Sequence, residues 1–291
     1  MSHAHSPSTS PNPRPCAFSA DRQRRPITGP MRSGQTEPIW NRVGVFAYGL
    51  ICYAIFFGTF LYAYGFVANL GTPTSLDRAP GASDASWPVA LLVNLCLLLV
   101  FALQHSVMAR PWFKAWWTQF VPEAAERSTY VLLSSVALIL LFAFWQPMGG
   151  GVWNITHPSM RLAVQVVTAI GFLIVLVTTF MINHFDLFGL RQVWLYLRNR
   201  PYTHLPFKTP TLYRIVRHPL YVGWLIAFWA TPTMTVAHLV FAVVTTVYIL
   251  LAIRWEERDL VDLHGEAYAQ YRKQVPKIVP RFPTSGSRIS A

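Results

Sequence analysis

Long apolar segments alternate with short polar ones along most of the chain, starting at about residue 43. Four of these segments are close to the ~20 residues that an α-helix needs to cross the hydrocarbon core of a bilayer. The pattern therefore predicts an all-α, polytopic transmembrane protein. The four predicted membrane helices cover residues 43–69, 87–109, 128–145 and 161–183.

The last apolar stretch is interrupted, and it predicts a C-terminal helical hairpin. Its first arm, residues 219–231, has only 13 residues. That is about 20 Å of helix at ~1.5 Å per residue, too short to cross a core of ~30 Å alone. Thr231-Pro232-Thr233 then breaks the helix before a longer arm that ends near Ile253. We expect the hairpin to be tilted or not to span fully, which makes five to six membrane helices.

The composition excludes an ordinary soluble domain. Only 12% of the residues are charged and 53% are hydrophobic, whereas soluble domains carry about 25% charged residues. The net charge is nevertheless +12. With the N-terminus, the loops 110–127 and 184–217 and the C-terminal tail on one side of the membrane, that side holds 22 of the 24 Lys and Arg residues. The positive-inside rule therefore predicts that both termini are cytoplasmic, and the basic charge needs no nucleic-acid partner.

The domain organisation follows from these segments. The N-terminal residues are rich in Pro, Ser, Thr and Arg and contain no apolar run, so we expect them to be disordered. Met31 lies just before the hydrophobic part and is an alternative start to Met1. The predicted regions are a disordered extension (1–38), membrane helices 1–4 (39–183), a cytoplasmic polar connector (184–216), the hairpin and tail (217–283) and a disordered end (284–291).

Polar residues at membrane depth are functional candidates, because they are costly to bury there. The first two groups are Gln104-His105-Ser106, near the end of the second helix, and His184 with Asp186 and Arg191, just after the fourth. His184 and Asp186 do not share a helix face, but they can meet if the helix ends between them. His105 is equally well explained as a histidine that bonds to a neighbouring helix. Cys16, Cys52 and Cys96 have no metal-type spacing, and we expect no metal.

The third polar group brackets the hairpin. Because a hairpin returns the chain to its start, Arg217 and His218 before it should lie near Glu256 and Glu257 after it. Cations that face a pair of carboxylates suit a zwitterionic ligand. The same residues also fit a topology anchor, a helix start with proline in its first turn, and a solvated helix end.

The hairpin sequence carries two motifs of a known superfamily. Residues 217–223 match an RHPxYxG signature, and residues 256–260 match EExxL. The chain thus resembles the isoprenylcysteine carboxyl methyltransferase superfamily of integral membrane methyltransferases, which includes phospholipid methyltransferases. From about residue 41 to 280 it is similar to a narrower family, the bacterial methanethiol S-methyltransferases, for example at Phe101–Arg110 and Ile182–Gln192.

This resemblance implies S-adenosylmethionine as cofactor, bound by the hairpin and tail, and a location in the bacterial inner membrane. Gly223 would let the ligand approach the backbone, since it has no side chain. Glu256 and Glu257 would engage amino or ribose hydroxyl groups, and two tyrosines of the tail would help to close the pocket. The cofactor residues implied at matching positions are Arg217, His218, Tyr221, Gly223, Glu256, Glu257, Tyr268 and Tyr271.

The narrower family implies in-line methyl transfer to a small thiol, from methanethiol to dimethyl sulfide. The thiolate is the reactive form, and a cysteine-like thiol has a pKa of ~8.5, so a base is expected. His184, oriented by Asp186, is the first candidate, and His105 is the second. Arg191 is the candidate for stabilising the anion.

Two alternative functions stay open. One is a phospholipid or isoprenylcysteine-type methyltransferase, which needs a lateral opening for a lipid tail. The other is a non-enzymatic transport or accessory protein, although inverted repeats and midplane polar residues would be typical of a transporter. The expected partners are a small thiol substrate and the lipid bilayer, and the oligomeric state stays open.

Overall fold

The structure is a computed structural model that describes residues 37–77, 85–203, 205 and 209–280. The predicted disordered segments lie outside these residues, except for Glu37 and Pro38, so their disorder stays a prediction. The elements of the described part are α1 (Ile39–Ala68), α2 (Trp87–Met108), α3 (Pro111–Trp117), α4 (Glu123–Phe144), β1 (Gly151–Asn154), α5 (Pro158–Ile182), α6 (His184–Leu187), α7 (Leu190–Leu197), α8 (Thr211–Ile215), α9 (Pro219–Trp229), β2 (Thr233–Thr235), α10 (Val236–His264) and α11 (Glu266–Gln274).

Five helices, namely α1, α2, α4, α5 and α10, are long and apolar enough to cross a membrane. They confirm a multi-pass, mostly helical membrane protein. Helix α4 begins five residues before the predicted span, at Glu123. Glu123 and Glu126 lie in its first turn, where negative side chains stabilise a helix N-terminus. A prediction from apolar residues alone leaves out such a polar first turn, so it places the start of the helix too late.

The first arm of the hairpin is short, as predicted. Helix α9 has 11 residues, about 16 Å at ~1.5 Å per residue. After it the chain is extended, and β2 pairs antiparallel with β1. The apolar pattern does not predict this two-stranded sheet, which is a small addition to an otherwise all-α architecture.

Extended backbone between two helices needs partners for its polar groups, and here side chains of the protein supply them. Trp153 Nε1 donates to the carbonyl of Thr231 at 3.0 Å. The carbonyl of Phe228 would accept from residue 232 in a continuing helix, but Pro232 has no N–H to donate. Instead, Nε2 of His238 donates to this carbonyl at 2.9 Å.

The same histidine anchors what we call the distal end, the region around Asp77 and His238. His238 Nδ1 lies 2.7 Å from Asp77 Oδ2, and the two side chains are 0% and 3% exposed. The Asp77 carboxylate also accepts from the Asn69 amide at 2.7 Å and from the Thr235 N–H at 2.8 Å. Burial acts to raise the pKa of Asp77, but these partners, His238 foremost, outweigh it and hold the pKa below its ordinary value.

Helices α5 and α9 cross closely because each has a glycine at the crossing. A Cβ on Gly223 would lie 2.8 Å from the carbonyl oxygen of Gly171, and one on Gly171 would lie 2.8 Å from that of Gly223. The open side of Gly223 is therefore covered by α5. Helix packing, rather than the approach of a ligand, explains the glycine at this position.

Candidate active site

The two ends of the hairpin meet at one place. Arg217 Nη2 lies 2.8 Å from Glu257 Oε1, and His218 Nε2 lies 3.1 Å from the same oxygen. His218 Nδ1 lies 3.6 Å from Glu256 Oε2. The prediction that these four residues lie together is confirmed. A buried charge needs such pairing, since an unpaired one is costly.

The chain after α11 closes over this group. The N–H of Arg217 donates to the carbonyl of Pro276 at 2.9 Å, and that of His218 donates to the carbonyl of Lys277 at 3.2 Å. Lys277 Nζ lies 3.8 Å from Glu257 Oε2. The tail thus adds a third basic side chain to the pairing. We call the group of Arg217, His218, Glu256, Glu257 and Lys277 the hairpin base.

The two glutamates of the hairpin base have different surroundings. The Glu257 side chain is 9% exposed, and three basic side chains hold its carboxylate. The Glu256 side chain is 45% exposed, and its carboxylate accepts a hydrogen bond from Tyr221. Most acceptor positions of Glu257 are filled by the protein. Glu256 is therefore the carboxylate that can accept hydrogen bonds from a ligand.

Two tyrosines of α11 pack beside the hairpin base. Tyr268 is 2% exposed, and its ring centroid lies 5.7 Å from that of Tyr271. The Tyr271 hydroxyl donates to the carbonyl of Tyr213 at 2.5 Å. Burial raises the pKa of Tyr271 to about 12, although Arg217 opposes the shift. Tyr271 thus ties the C-terminal segment to α8, and the contact of either tyrosine with a cofactor stays a prediction.

A second polar group lies between the hairpin and the helices α2 and α4. It consists of Tyr130 on α4, Tyr221 on α9 and Tyr248 on α10, which we call the phenol cluster. The Tyr221 hydroxyl bonds to the Glu256 carboxylate, and the Tyr248 hydroxyl lies 3.0 Å from that of Ser106, the neighbour of His105 on α2. The Tyr130 hydroxyl lies 2.9 Å from Nδ1 and 3.0 Å from Nε2 of His105. The structure thus brings His105, the second candidate base, towards the hairpin base.

His184, the first candidate base, is held in a different group of helices. Thr179 donates its hydroxyl proton to the carbonyl of Leu176 at 2.6 Å, so its oxygen accepts from Nδ1–H of His184 at 2.8 Å. Nε2 then accepts from the Tyr53 hydroxyl, also at 2.8 Å. The ring stacks on Phe180, and burial lowers the pKa of His184. His184 is therefore a neutral imidazole with a protein partner on each nitrogen.

Asp186 does not orient His184, because both ring nitrogens are bonded elsewhere. It pairs with Arg191 at 2.9 Å and accepts from the Tyr202 hydroxyl at 3.3 Å. Arg191 also donates to the Thr203 carbonyl at 2.9 Å and to its hydroxyl at 3.0 Å. Asp186 and Arg191 thus fasten the segment 200–203 of the connector onto α6 and α7. The guanidinium is committed to this clamp rather than placed beside the hairpin base.

Sequence reasoning missed the roles of Tyr53, Tyr130 and Tyr248. All three lie in apolar helices, where a tyrosine reads as part of an interfacial aromatic belt. A signal was nevertheless present, because a phenol at membrane depth needs a hydrogen-bond partner. Among the described residues, no group of three or more His, Cys, Asp or Glu side chains could hold a metal ion.

These features define a class: an integral membrane protein of helical hairpins, with a charged site at one end that is closed by its own C-terminal tail. The family described as NnrU protein matches residues 93–276. The methanethiol S-methyltransferase of Crocosphaera subtropica is 56% identical over 240 residues, which cover 82% of this chain and 93% of that protein. The chain belongs to the NnrU family and, within it, to the methanethiol S-methyltransferases.

Other relatives fit the same assignment. The methanethiol S-methyltransferase of Mycobacterium tuberculosis is 50% identical over 233 residues, which cover 80% of this chain and 94% of that protein. Nurim of Xenopus laevis is 26% identical over 278 residues, which cover 86% of this chain and 90% of that protein. No solved structure matches the chain. The sequence resemblance to membrane methyltransferases is thereby confirmed, and the chain is an enzyme of the S-methyltransferase type.

Proposed function

We propose that this protein transfers a methyl group from S-adenosylmethionine to methanethiol and releases dimethyl sulfide. One observation carries the proposal. In a chain 56% identical to a methanethiol S-methyltransferase, the hairpin base holds the half-exposed carboxylate of Glu256 beside a buried, paired set of charges. The relatives' names imply a methyl donor, and S-adenosylmethionine is our proposal for its identity.

The residues of the hairpin base suit S-adenosylmethionine, which is a zwitterion with ribose hydroxyls. Glu256 would accept from its amino or ribose hydroxyl groups. Lys277, with a side chain that is 42% exposed, would face its carboxylate. Tyr268 and Tyr271 would cover the bound molecule. When bound, the cofactor supplies a methyl carbon on a cationic sulfur, and a thiolate lone pair forms the new C–S bond as the old bond breaks towards that sulfur.

The remaining polar residues keep these groups in position. Glu257 fixes the guanidinium of Arg217 and the ring of His218, and Tyr221 fixes the carboxylate of Glu256. Such preorganisation matters because alignment of the two reactants supplies much of the acceleration in bimolecular reactions. Gly223 would contribute indirectly, because it allows α5 and α9 to cross closely. This crossing fixes the position of α9, whose start follows directly after Arg217 and His218.

We also infer that the site faces the cytoplasm of a bacterial inner membrane, with both termini on that side. The supporting observation is the placement of 22 of the 24 Lys and Arg residues on one side of the predicted spans. Reporter fusions test this directly. Green fluorescent protein should be fluorescent at the C-terminus, and alkaline phosphatase should be inactive there, whereas the opposite pattern would overturn the orientation.

The activity is tested on protein purified in mild detergent and supplied with methanethiol and S-adenosylmethionine. Gas chromatography should detect dimethyl sulfide. Glu256→Gln should weaken cofactor binding, whereas Asp259→Asn, a neighbour on the same helix that pairs with Arg110, serves as the matched control. Absence of dimethyl sulfide together with methylation of a lipid extract would replace this function by a lipid methyltransferase.

A further inference from the structure

We propose that the phenol cluster, together with His105, is the binding site of the thiol acceptor, with the Tyr130–His105 pair as the group that receives the thiol proton. This inference rests on the proposed function and names the part of the site that takes the second substrate. It replaces His184 by His105 as the candidate base.

The position of the phenol cluster supports this assignment. Tyr221 bonds to Glu256, the carboxylate that we assign to the cofactor. Tyr248 lies on the same helix as Glu256, and its hydroxyl is 3.0 Å from that of Ser106, the neighbour of His105 on α2. Arg110, just after α2, pairs with Asp259, three residues after Glu256, at 3.2 Å. Side chains of α2, α4 and α10 therefore meet here, at the end of the bundle where α9 places Tyr221 beside Glu256. The contacts of His184, by contrast, lie in α1, in α5, in α6 and at the end of α6. A base for the acceptor has to lie where the two substrates meet, and of these two groups the His105 group is the one beside the hairpin base.

The side chains around the phenol cluster also suit a small thiol chemically. A small thiol presents one S–H group and one alkyl group, and so needs a few hydrogen bonds and an apolar wall. Phenol hydroxyls can donate to a sulfur anion and stabilise it. The Phe101 ring stacks on His105 with centroids 5.2 Å apart, and it lies 6.4 Å from the ring of Tyr248. These rings supply the apolar wall.

The hydrogen bonds of the phenol cluster provide a path for the thiol proton to His105. The Ser106 hydroxyl lies 3.0 Å from the Tyr248 hydroxyl, and Ser134 Oγ lies 3.3 Å from His105 Nδ1. The Tyr130 hydroxyl lies within 3.0 Å of both ring nitrogens of His105. In the proposed step the thiol proton moves to the Tyr130 oxygen as the phenolic proton moves to a ring nitrogen of His105. The electron pair of the broken S–H bond stays on sulfur, so a thiolate and an imidazolium result.

The test compares His105→Gln, Tyr130→Phe and Tyr248→Phe with a matched control. Tyr62→Phe also removes one hydroxyl that bonds to another hydroxyl, that of Thr74 at 2.8 Å, but it lies outside the phenol cluster. We expect kcat/KM for methanethiol to fall by about 10²–10⁴-fold in His105→Gln, the range typical of lost general acid–base catalysis. Binding of S-adenosylmethionine, measured by equilibrium dialysis, should change less than about twofold.

A pH profile separates catalysis from a merely structural role. Without the proton acceptor, the reaction depends on thiolate already present in solution, so kcat/KM of His105→Gln should rise about tenfold per pH unit below the pKa of the thiol. A His105→Gln profile parallel to that of the unaltered protein would overturn the inference. So would equal activities of Tyr130→Phe, Tyr248→Phe and Tyr62→Phe.

The outcomes also distinguish this inference from the proposed function. If the unaltered protein forms no dimethyl sulfide, the proposed function itself fails. If it does and His184→Gln alone shows the altered pH profile, the acceptor site lies at His184 and this inference fails. Should His105→Gln not fold, as judged by its thermal melt, the two tyrosine variants decide the matter, because they retain the aromatic ring.

Discussion

Replacing His238 by alanine should destabilise the protein strongly, although the residue is far from the candidate active site. About 27 Å of helix α10, at ~1.5 Å per residue, separates His238 from Glu256. The substitution removes the His238 ring from two buried acceptors: the Phe228 carbonyl loses the imidazole donor, and the Asp77 carboxylate loses its basic partner and keeps only the neutral donors Asn69 and Thr235. The effect therefore tests whether the distal end holds the hairpin in place.

The expected magnitude follows from the contacts that are lost. Breaking a buried ion pair by removing one partner costs about 3–5 kcal/mol, because the remaining charge is buried alone. Asp77 and His238 meet this condition, since their side chains are 3% and 0% exposed. In the double variant Asp77→Asn/His238→Ala no charge remains, so its loss should be smaller than that of His238→Ala. The coupling energy from the full cycle should be about 1–3 kcal/mol.

The pH dependence of stability supplies a second readout. The pKa of Asp77 is depressed in the folded protein, chiefly because His238 offsets the effect of burial. A depressed pKa contributes stability above the unfolded value of ~3.9, and this contribution is lost as the pH falls through the folded pKa. Asp77→Asn should therefore show a weaker loss of stability below about pH 4 than the unaltered protein.

Equilibrium unfolding in mixed micelles of mild detergent and dodecyl sulfate, followed by tryptophan fluorescence, measures these differences. The matched control is His157→Ala, because His157 is exposed and the described hydrogen bonds of its side chain are limited to the hydroxyl of Ser159. Stability losses of the same size in His238→Ala and His157→Ala would refute the reasoning. So would a double variant that is less stable than His238→Ala.

Three further predictions concern the other end of the chain and the helix crossing. Gly223→Leu should lower the free energy of unfolding by about 1–3 kcal/mol through overpacking, whereas Gly44→Leu, whose Cβ meets nothing within 4 Å, should leave the thermal melt nearly unchanged. Glu257→Gln should weaken S-adenosylmethionine binding several-fold in equilibrium dialysis, since it loosens Arg217 and His218, and an unchanged affinity would remove Glu257 from the site. Arg191→Ala should release the segment 200–203 and speed chymotryptic cleavage after Tyr202, which gel electrophoresis of timed digests would show against an Arg198→Lys control.

The membrane helices and the hairpin base are predictable from sequence because each depends on short-range rules. A span of about 20 apolar residues matches the bilayer thickness, and the predicted start of the second span at Trp87 is the start of α2. The meeting of Arg217 with Glu257 follows from the return of the hairpin. The first inference needs only the length of an apolar segment. The second needs only the fact that two consecutive helices of a hairpin run in opposite directions.

The partners of the candidate bases were not predictable in the same way, because they are set by contacts between distant segments. His184 and Asp186 are neighbours in sequence, yet His184 bonds to Tyr53, which is 131 positions away. His105 meets Tyr130 across two helices and, through the phenol cluster, the hairpin. The pairing of β1 with β2 is likewise a contact between segments far apart in sequence. A single sequence shows which residues are polar, but it does not show which helices pack against each other.

Burial of polar groups by itself does not identify the active site of this protein, since both ends of α10 bury a histidine against a carboxylate. The difference lies in how many acceptor positions the protein leaves open. At the distal end Asp77 receives donors from His238, Asn69 and Thr235, and its side chain is 3% exposed. At the hairpin base three basic side chains hold Glu257, which is 9% exposed, but the adjacent Glu256 is 45% exposed. The distal end therefore suits a structural role, and the hairpin base has the capacity to bind a ligand.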